Sequence, residues 1–203
     1  MIDINNIREC VLLGLKQPLA KEGFRLSKKG QCYKKKVPEG TFSAHLAFVD
    51  VGVRVRVTVD VAASHTEINA YRYPDDPPGF PSFGYDMREL CGVSELSWFI
   101  GDEHEAQWAI HGIKVKLLEV FVPFVESCRD KCKLIEILLR DELLKSADCL
   151  SLLDRAISAL VLAKILRRDD IREIVSKLSE IHKLKCKYQH GEFLEQLNEV
   201  LTK

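Results

Sequence analysis

The sequence predicts an α+β fold: an antiparallel sheet of about four or five strands, covered on one face by helices and followed by a C-terminal all-helical extension. Three observations carry this. From Val51 to Val61 every odd position is valine, while the even positions hold Gly52, Arg54, Arg56, Thr58 and Asp60, the period of two that a half-buried strand requires. Apolar residues recur at helical spacing before this stretch and again after Asp102. Beyond about Ser127 only helical periodicity continues.

In chain order, Ile4, Ile7, Val11, Leu12, Leu15 and Leu19 define a first helix, with Asp3 or Asn5 placed to cap it. Pro18 is expected to kink or divide this helix, because proline donates nothing to the preceding turn. Gly23 offers a left-handed stop, after which Phe24 folds back on the last turn. Phe24 to Lys36 then reads as a hairpin turning near Lys29 and Gly30. The hairpin, residues 25–36, is basic: Arg25, Lys28, Lys29, Lys34, Lys35 and Lys36 surround Tyr33. Such a cluster suits a phosphate or an acidic partner, and equally an edge hairpin whose lysines oppose edge-to-edge association.

Thr41 to Val49 places Phe42, Ala44, Leu46 and Phe48 on one face. A reversal over residues 49–52 sets Phe48 opposite Val53, Leu46 opposite Val55 and Ala44 opposite Val57. A one-residue slip would oppose apolar to polar along the whole pair, so parity is well specified. Thr66 to Tyr73 reads as a third strand, with Ile68 and Ala70 inward and Glu67, Asn69 and Tyr71 outward. The outer face then collects Arg54, Arg56, Asp60, His45, Glu67 and Tyr71, as a solvated surface or as a binding face.

Pro74 to Gly84 is rich in proline and glycine and reads as a long loop. Its aromatics Phe80, Phe83 and the following Tyr85 either present a contact surface or pin the loop to the body. Glu95 to Ile100 adds a last strand containing Trp98. Asp102 caps the next helix and Glu105 reaches back in a capping box. The stripe of that helix is Ala106, Ile110, Ile113, Leu117, Val120 and Phe124, and Pro123 ends or bends it. The tail reads as one helix through Leu134 and Leu143, another through Leu150 and Val161, a third opened by Asp169 or Asp170 and running to Ile181, and a last one after Gly191. The expected domains are 1–128, α+β, and 129–203, helical.

With 203 residues, 46% of them hydrophobic, the chain is long enough for a real core. The 30 basic and 30 acidic residues cancel, so nothing global argues for nucleic acid or an anionic membrane. The start lacks a signal-peptide pattern, and no stretch has the apolar length of a membrane span. The reading is a cytoplasmic protein of undetermined oligomeric state. Its seven cysteines, Cys10, Cys32, Cys91, Cys128, Cys132, Cys149 and Cys186, follow no disulfide framework and read as structural thiols.

A helix ending Leu-Lys-Gln-Pro-Leu-Ala-Lys-Glu-Gly-Phe, a basic hairpin with Tyr33, alternating strands, and Ser-Trp-Phe-Ile-Gly-Asp leading into a helix with Val-Pro-Phe-Val together resemble the bacterial family catalogued as domain of unknown function 4304. The resemblance covers residues 1 to about 140. It implies an α+β fold and supplies no activity and no catalytic residues.

Cys128 and Cys132 are four residues apart, as are His182, Cys186 and His190, so each set shares a helix face and offers zinc-type ligands. Buried thiols explain them without a metal, and neither a metal nor a cofactor is expected. No Gly-x-Ser-x-Gly elbow, phosphate-binding loop or dinucleotide fingerprint is present. The expectation is therefore a non-catalytic protein-interaction module, of immunity or antitoxin type, binding an unknown protein through Phe80, Phe83, Tyr85, Arg54, Arg56 and Tyr71. The alternatives are a nucleic-acid or phosphate binder using Lys28, Lys29, Lys34 and Lys35, and an enzyme with an unrecognised site.

Overall fold

The computed structural model describes residues 3–72, 81–186 and 189–202. Its strands are β1 (Arg25–Ser27), β2 (Cys32–Val37), β3 (Gly40–Asp50), β4 (Val55–His65), β5 (Phe83–Asp86) and β6 (Trp98–Ile100). They form one six-stranded sheet in the order β1-β2-β3-β4-β5, and β6 also pairs with β4. The pairs β1–β2, β2–β3 and β4–β6 are antiparallel, and the fold is α+β as predicted. The chain divides into two compact units, residues 1–63 with 85–126, and residues 64–84 with 127–203. The division falls inside β4 and inside β5. Residues 64–84, expected in the first domain, thus group with the C-terminal helices.

In the first unit, α1 (Ile4–Lys21) starts at Asp3, whose carboxylate accepts from the backbone of Asn5 and Asn6. Pro18 neither divides nor ends it. The proline removes one backbone donor without ending the helix, which stops at Gly23 (φ +83°) instead. Phe24 N donates back to Leu19 O at 3.0 Å, and the ring is buried.

Val55, Val57, Val59 and Val61 are all buried, as are Phe42, Ala44 and Leu46 of β3. The predicted parity holds, but the predicted turn does not. Val51 N donates to Arg54 O at 2.9 Å, Gly52 adopts φ +92°, and Val53 is 83% exposed. The valine alternation therefore runs on into the turn, where Gly52 supplies the left-handed residue that the reversal needs.

α4 (Glu103–Lys116) covers this face together with α1. The two helices approach closely at Gly14, where a Cβ would lie 2.7 Å from Ile110 Cδ1. After Lys116 the helix widens into a π-turn segment (Leu117–Phe121) before α5 (Val122–Ser127). Pro123, expected to end or bend the helix, is the second residue of α5, directly after this widened segment. The short α3 (Met87–Cys91) is closed by a capping box between Asp86 and Glu89.

The second unit overturns one strand assignment. Thr66 to Arg72 is helix α2, not a third strand. Two apolar residues, Ile68 and Ala70, are too few to separate a period of two from one of 3.6. The helix buries Ile68 and sets Glu67 in its first turn and Arg72 in its last, as the helix dipole favours. The tail contains α6 (Lys131–Leu138), α7 (Asp141–Ser146), α8 (Cys149–Ile165), α9 (Ile171–Lys185) and α10 (His190–Thr202). The single helix expected through Leu143 is thus two, because Arg140 takes an extended conformation (φ −67°, ψ 124°). Gly191 lies within α10 instead of before it. α8 is the centre of the unit, with α2, α6, α9 and α10 packed on it. Cys149 and Cys186 form a disulfide, which corrects the expectation of seven unbonded thiols. A separation of 37 residues leaves no sequence motif to announce such a bond.

Candidate functional site: an aromatic groove on α4 and β6

β6 pairs with β4 through Val55–Ile100, Arg56–Phe99 and Val57–Trp98. Alternation sends Trp98 and Ile100 to the valine face and Phe99 to the other. Ile100 is fully buried, whereas Phe99 is 43% exposed. Between this short strand and α4 lies a groove of about 510 Å³ lined by Trp98, Phe99, His104, Glu105, Trp108 and Gly112, among others.

Glycine and capping chemistry build the groove. A Cβ at Gly112 would lie 2.5 Å from Trp98 Nε1, so only a glycine lets the indole rest on α4. Asp102 Oδ1 accepts from Glu105 N at 2.7 Å, the predicted cap. Glu105 Oε2 accepts from Gly101 N at 2.6 Å, one residue before the position a standard capping box uses. The other oxygen of the same carboxylate accepts from Arg54 Nη2, also at 2.6 Å. Glu105 therefore ties β6, α4 and the β3–β4 turn together.

Trp108 stands at the rim and is 69% exposed. Its indole N–H donates to His104 Nε2 at 3.1 Å, one helical turn back, and the two rings lie 6.1 Å apart. Since indole only donates, His104 accepts through Nε2 and carries its proton on Nδ1. The hydrogen bond fixes the ring while leaving it open to solvent. Large exposed aromatics held in place are the side chains most often found as interface anchors. Reading the apolar stripe of α4 could not find Trp108, because it lies off that stripe. The available signal was a tryptophan on the polar face of an amphipathic helix.

Of the residues expected to bind a partner, two are buried and two are tied into the protein by side-chain bonds. Arg54 is committed to Glu105. Arg56 is exposed and faces the same side as Phe99. Tyr71 lies on α2, where its hydroxyl donates to Val200 O at 2.6 Å. Phe83 and Tyr85 are buried, at 1% and 3% exposure, and Tyr85 packs edge-on against Phe124. They belong to the core and cannot anchor a partner from the surface. Phe80 lies outside the described residues.

Of the hairpin lysines, Lys28 pairs with Glu9 and Lys35 with Glu126, each at 2.9 Å. Lys35 also sits over the Phe24 ring. Lys29 and Lys34 are exposed. Tyr33 is buried and its hydroxyl donates to Leu12 O, with burial pushing its pKa up. The aromatic of the basic cluster is thus a core residue and offers no stacking platform.

The cysteine and histidine sets separate as well. Cys128 is buried, which pushes its thiol pKa up, while Cys132 is exposed. Cys186 is bonded to Cys149, and His182 Nδ1 faces His190 Nδ1 at 3.3 Å. Among the described residues no group of three or more His, Cys, Asp or Glu is placed to hold a metal ion. No helix among them is long and apolar enough to cross a membrane. No family model, no curated protein and no solved structure matches this chain.

Proposed function

We propose that this protein works without catalysis, as an interaction module that receives an extended segment of a partner protein in the groove between β6 and α4. The observation that carries the reading is Trp108, 69% exposed and held by His104, in a groove that the 43% exposed Phe99 also lines. Leaving two large aromatics partly exposed forgoes part of the roughly 1.5–3 kcal/mol that full burial of such a side chain is worth. A partner bearing an apolar anchor recovers that energy. β6 pairs only with β4 among the described strands, so its outer edge presents backbone groups to a strand laid beside it. Balanced charge and the lack of a catalytic motif suit the immunity- or antitoxin-like role expected from sequence. The resemblance to the family of unknown function supplies no competing activity. With Tyr33 buried and Lys28 and Lys35 engaged, a phosphate-binding hairpin has less support.

The test is capture of partners from the native cell by wild type and by a Trp108→Ala, Phe99→Ala double variant that retains its helical content. The expected result is a specific partner held by wild type and lost by the variant. A partner kept equally by both, or turnover of a small molecule by the isolated chain, would remove the reading.

A further inference from the structure

The second unit carries a covalent tie between the start of α8 and the end of α9. Cys149 is the first residue of α8, and Cys186 is the C-cap of α9. Their bond pins the end of α9, and with it the root of α10, to the start of α8. Cys149 is partly exposed and Cys186 is 5% exposed, so of the two residues Cys149 is the more open to a reductant.

Noncovalent contacts hold the same region. His182 stacks on Phe193 with centroids 3.9 Å apart, and its Nδ1 lies 3.3 Å from that of His190. Lys185 Nζ donates to the carbonyls of Lys145 and Ala147. At the far end of α10, Lys164 Nζ donates to Val200 O and Leu201 O at 3.0 and 3.2 Å. The apolar face of α10, Phe193, Leu197 and Val200, is buried. A helix of 13 residues held this way keeps its place by packing alone only in equilibrium with an opened form.

We propose that the Cys149–Cys186 bond is a thiol-operated clasp whose opening lets α10 swing away from α8 while the rest of the unit stays folded. A thiolate from a small thiol or a dithiol protein attacks the sulfur of Cys149, the more open residue. The sulfur–sulfur bond breaks, a mixed disulfide forms on Cys149, and Cys186 leaves as thiolate and takes a proton. A second thiol resolves the mixed disulfide, so two electrons and two protons pass to the protein and the reductant ends as its own disulfide. Oxidation by a disulfide of the same class reverses each step.

The experiment compares native-state amide hydrogen exchange in the oxidised and the thiol-reduced full chain. Thiol counting comes first, with five reactive cysteines expected in the oxidised denatured chain and all seven after reduction. On reduction without denaturant, amides of α10 should exchange on the order of ten-fold faster or more, while those at the centre of α8 keep their protection. A Cys149→Ser variant should match the reduced state. If that variant does not fold, the reduced wild type alone decides. Unchanged α10 exchange, a bond that yields to thiols only after global unfolding, or seven reactive cysteines in the oxidised chain would each overturn the clasp.

Discussion

Trp108 Nε1 and His104 Nε2 lie 3.1 Å apart, one helical turn from each other on α4. The bond spends the only polar group of the indole on its own helix. What remains for a partner is the apolar face of the ring, already aligned and with little rotamer entropy left to lose.

Trp108→Ala should therefore change stability by no more than about 1 kcal/mol, since a 69% exposed side chain loses little burial when truncated. Urea unfolding of wild type and variant measures this. A loss above about 2 kcal/mol would make the ring a structural element.

Gly112→Ala should act oppositely. The added methyl meets Trp98 Nε1 at 2.5 Å, so the indole must lift off α4, at a cost of about 1–3 kcal/mol. Indole emission should shift to the red as the ring enters solvent. An unshifted spectrum and unchanged stability would show that Trp98 moves without penalty.

Val57→Asp should be severely destabilising, by more than about 4 kcal/mol, because Val57 has 0% exposure and the carboxylate would be buried there. Circular dichroism of the purified variant decides, and a natively folded protein would contradict the placement of the valine face.

Arg155→Met tests the second unit. The guanidinium is 1% exposed and donates to Gly84 O through Nε and Nη2 and to Leu143 O through Nη1. Removing the donors takes the guanidinium's bonds from Gly84 O and from Leu143 O, which keeps Ser146 Oγ and Ala147 N as donors, at a cost of about 1–3 kcal/mol in all. Thermal unfolding should show a lowered midpoint, and an unchanged one would mean that water replaces the guanidinium at no cost.

Acid should weaken the second unit through His182. Burial, and then its neighbour His190, lowers the pKa of this imidazole below the ordinary value of 6.5. The unfolded chain binds the proton first as pH falls through 6.5, so stability is fully present above that pH and declines below it. Urea midpoints near pH 7.5 and pH 5 should differ more for wild type than for His182→Phe. An equal difference would take His182 out of the acid response.

Much of the sheet was legible because period-two valines, a positive-φ glycine and capping residues are local signals. The α1 and α4 assignments, the hairpin at Gly30, the left-handed stop at Gly23 and the Asp102 cap all rest on neighbours a few positions away. α2 was misread because Ile68 and Ala70 fit either period and only packing on α8 decides between them. Arg155 gave no warning, since an arginine within an apolar helical run looks like a solvated side chain until carbonyls from distant segments appear beside it. The groove stayed hidden for a similar reason: it needs β6 beside α4, and the stripe that marks α4 as a helix draws attention to its opposite face. Phe83 and Tyr85 looked like surface anchors because composition placed them near a loop, whereas β5 turns both into the core.

The interleaved division of the chain sets an order of events during synthesis. The first unit is made of residues 1–63 and 85–126, so all of it has been synthesised once Glu126 has. Residues 64–84 emerge in the middle of that process, yet Arg72, Ser82 and Gly84 find their bonding partners Asp154, Ser158 and Arg155 on α8, which has not been made. At the 5–20 residues per second typical of translation, the excursion waits several seconds with Ile68 uncovered. A chaperone or a premature stop meets the chain in that state, and a cut after residue 126 would make it permanent.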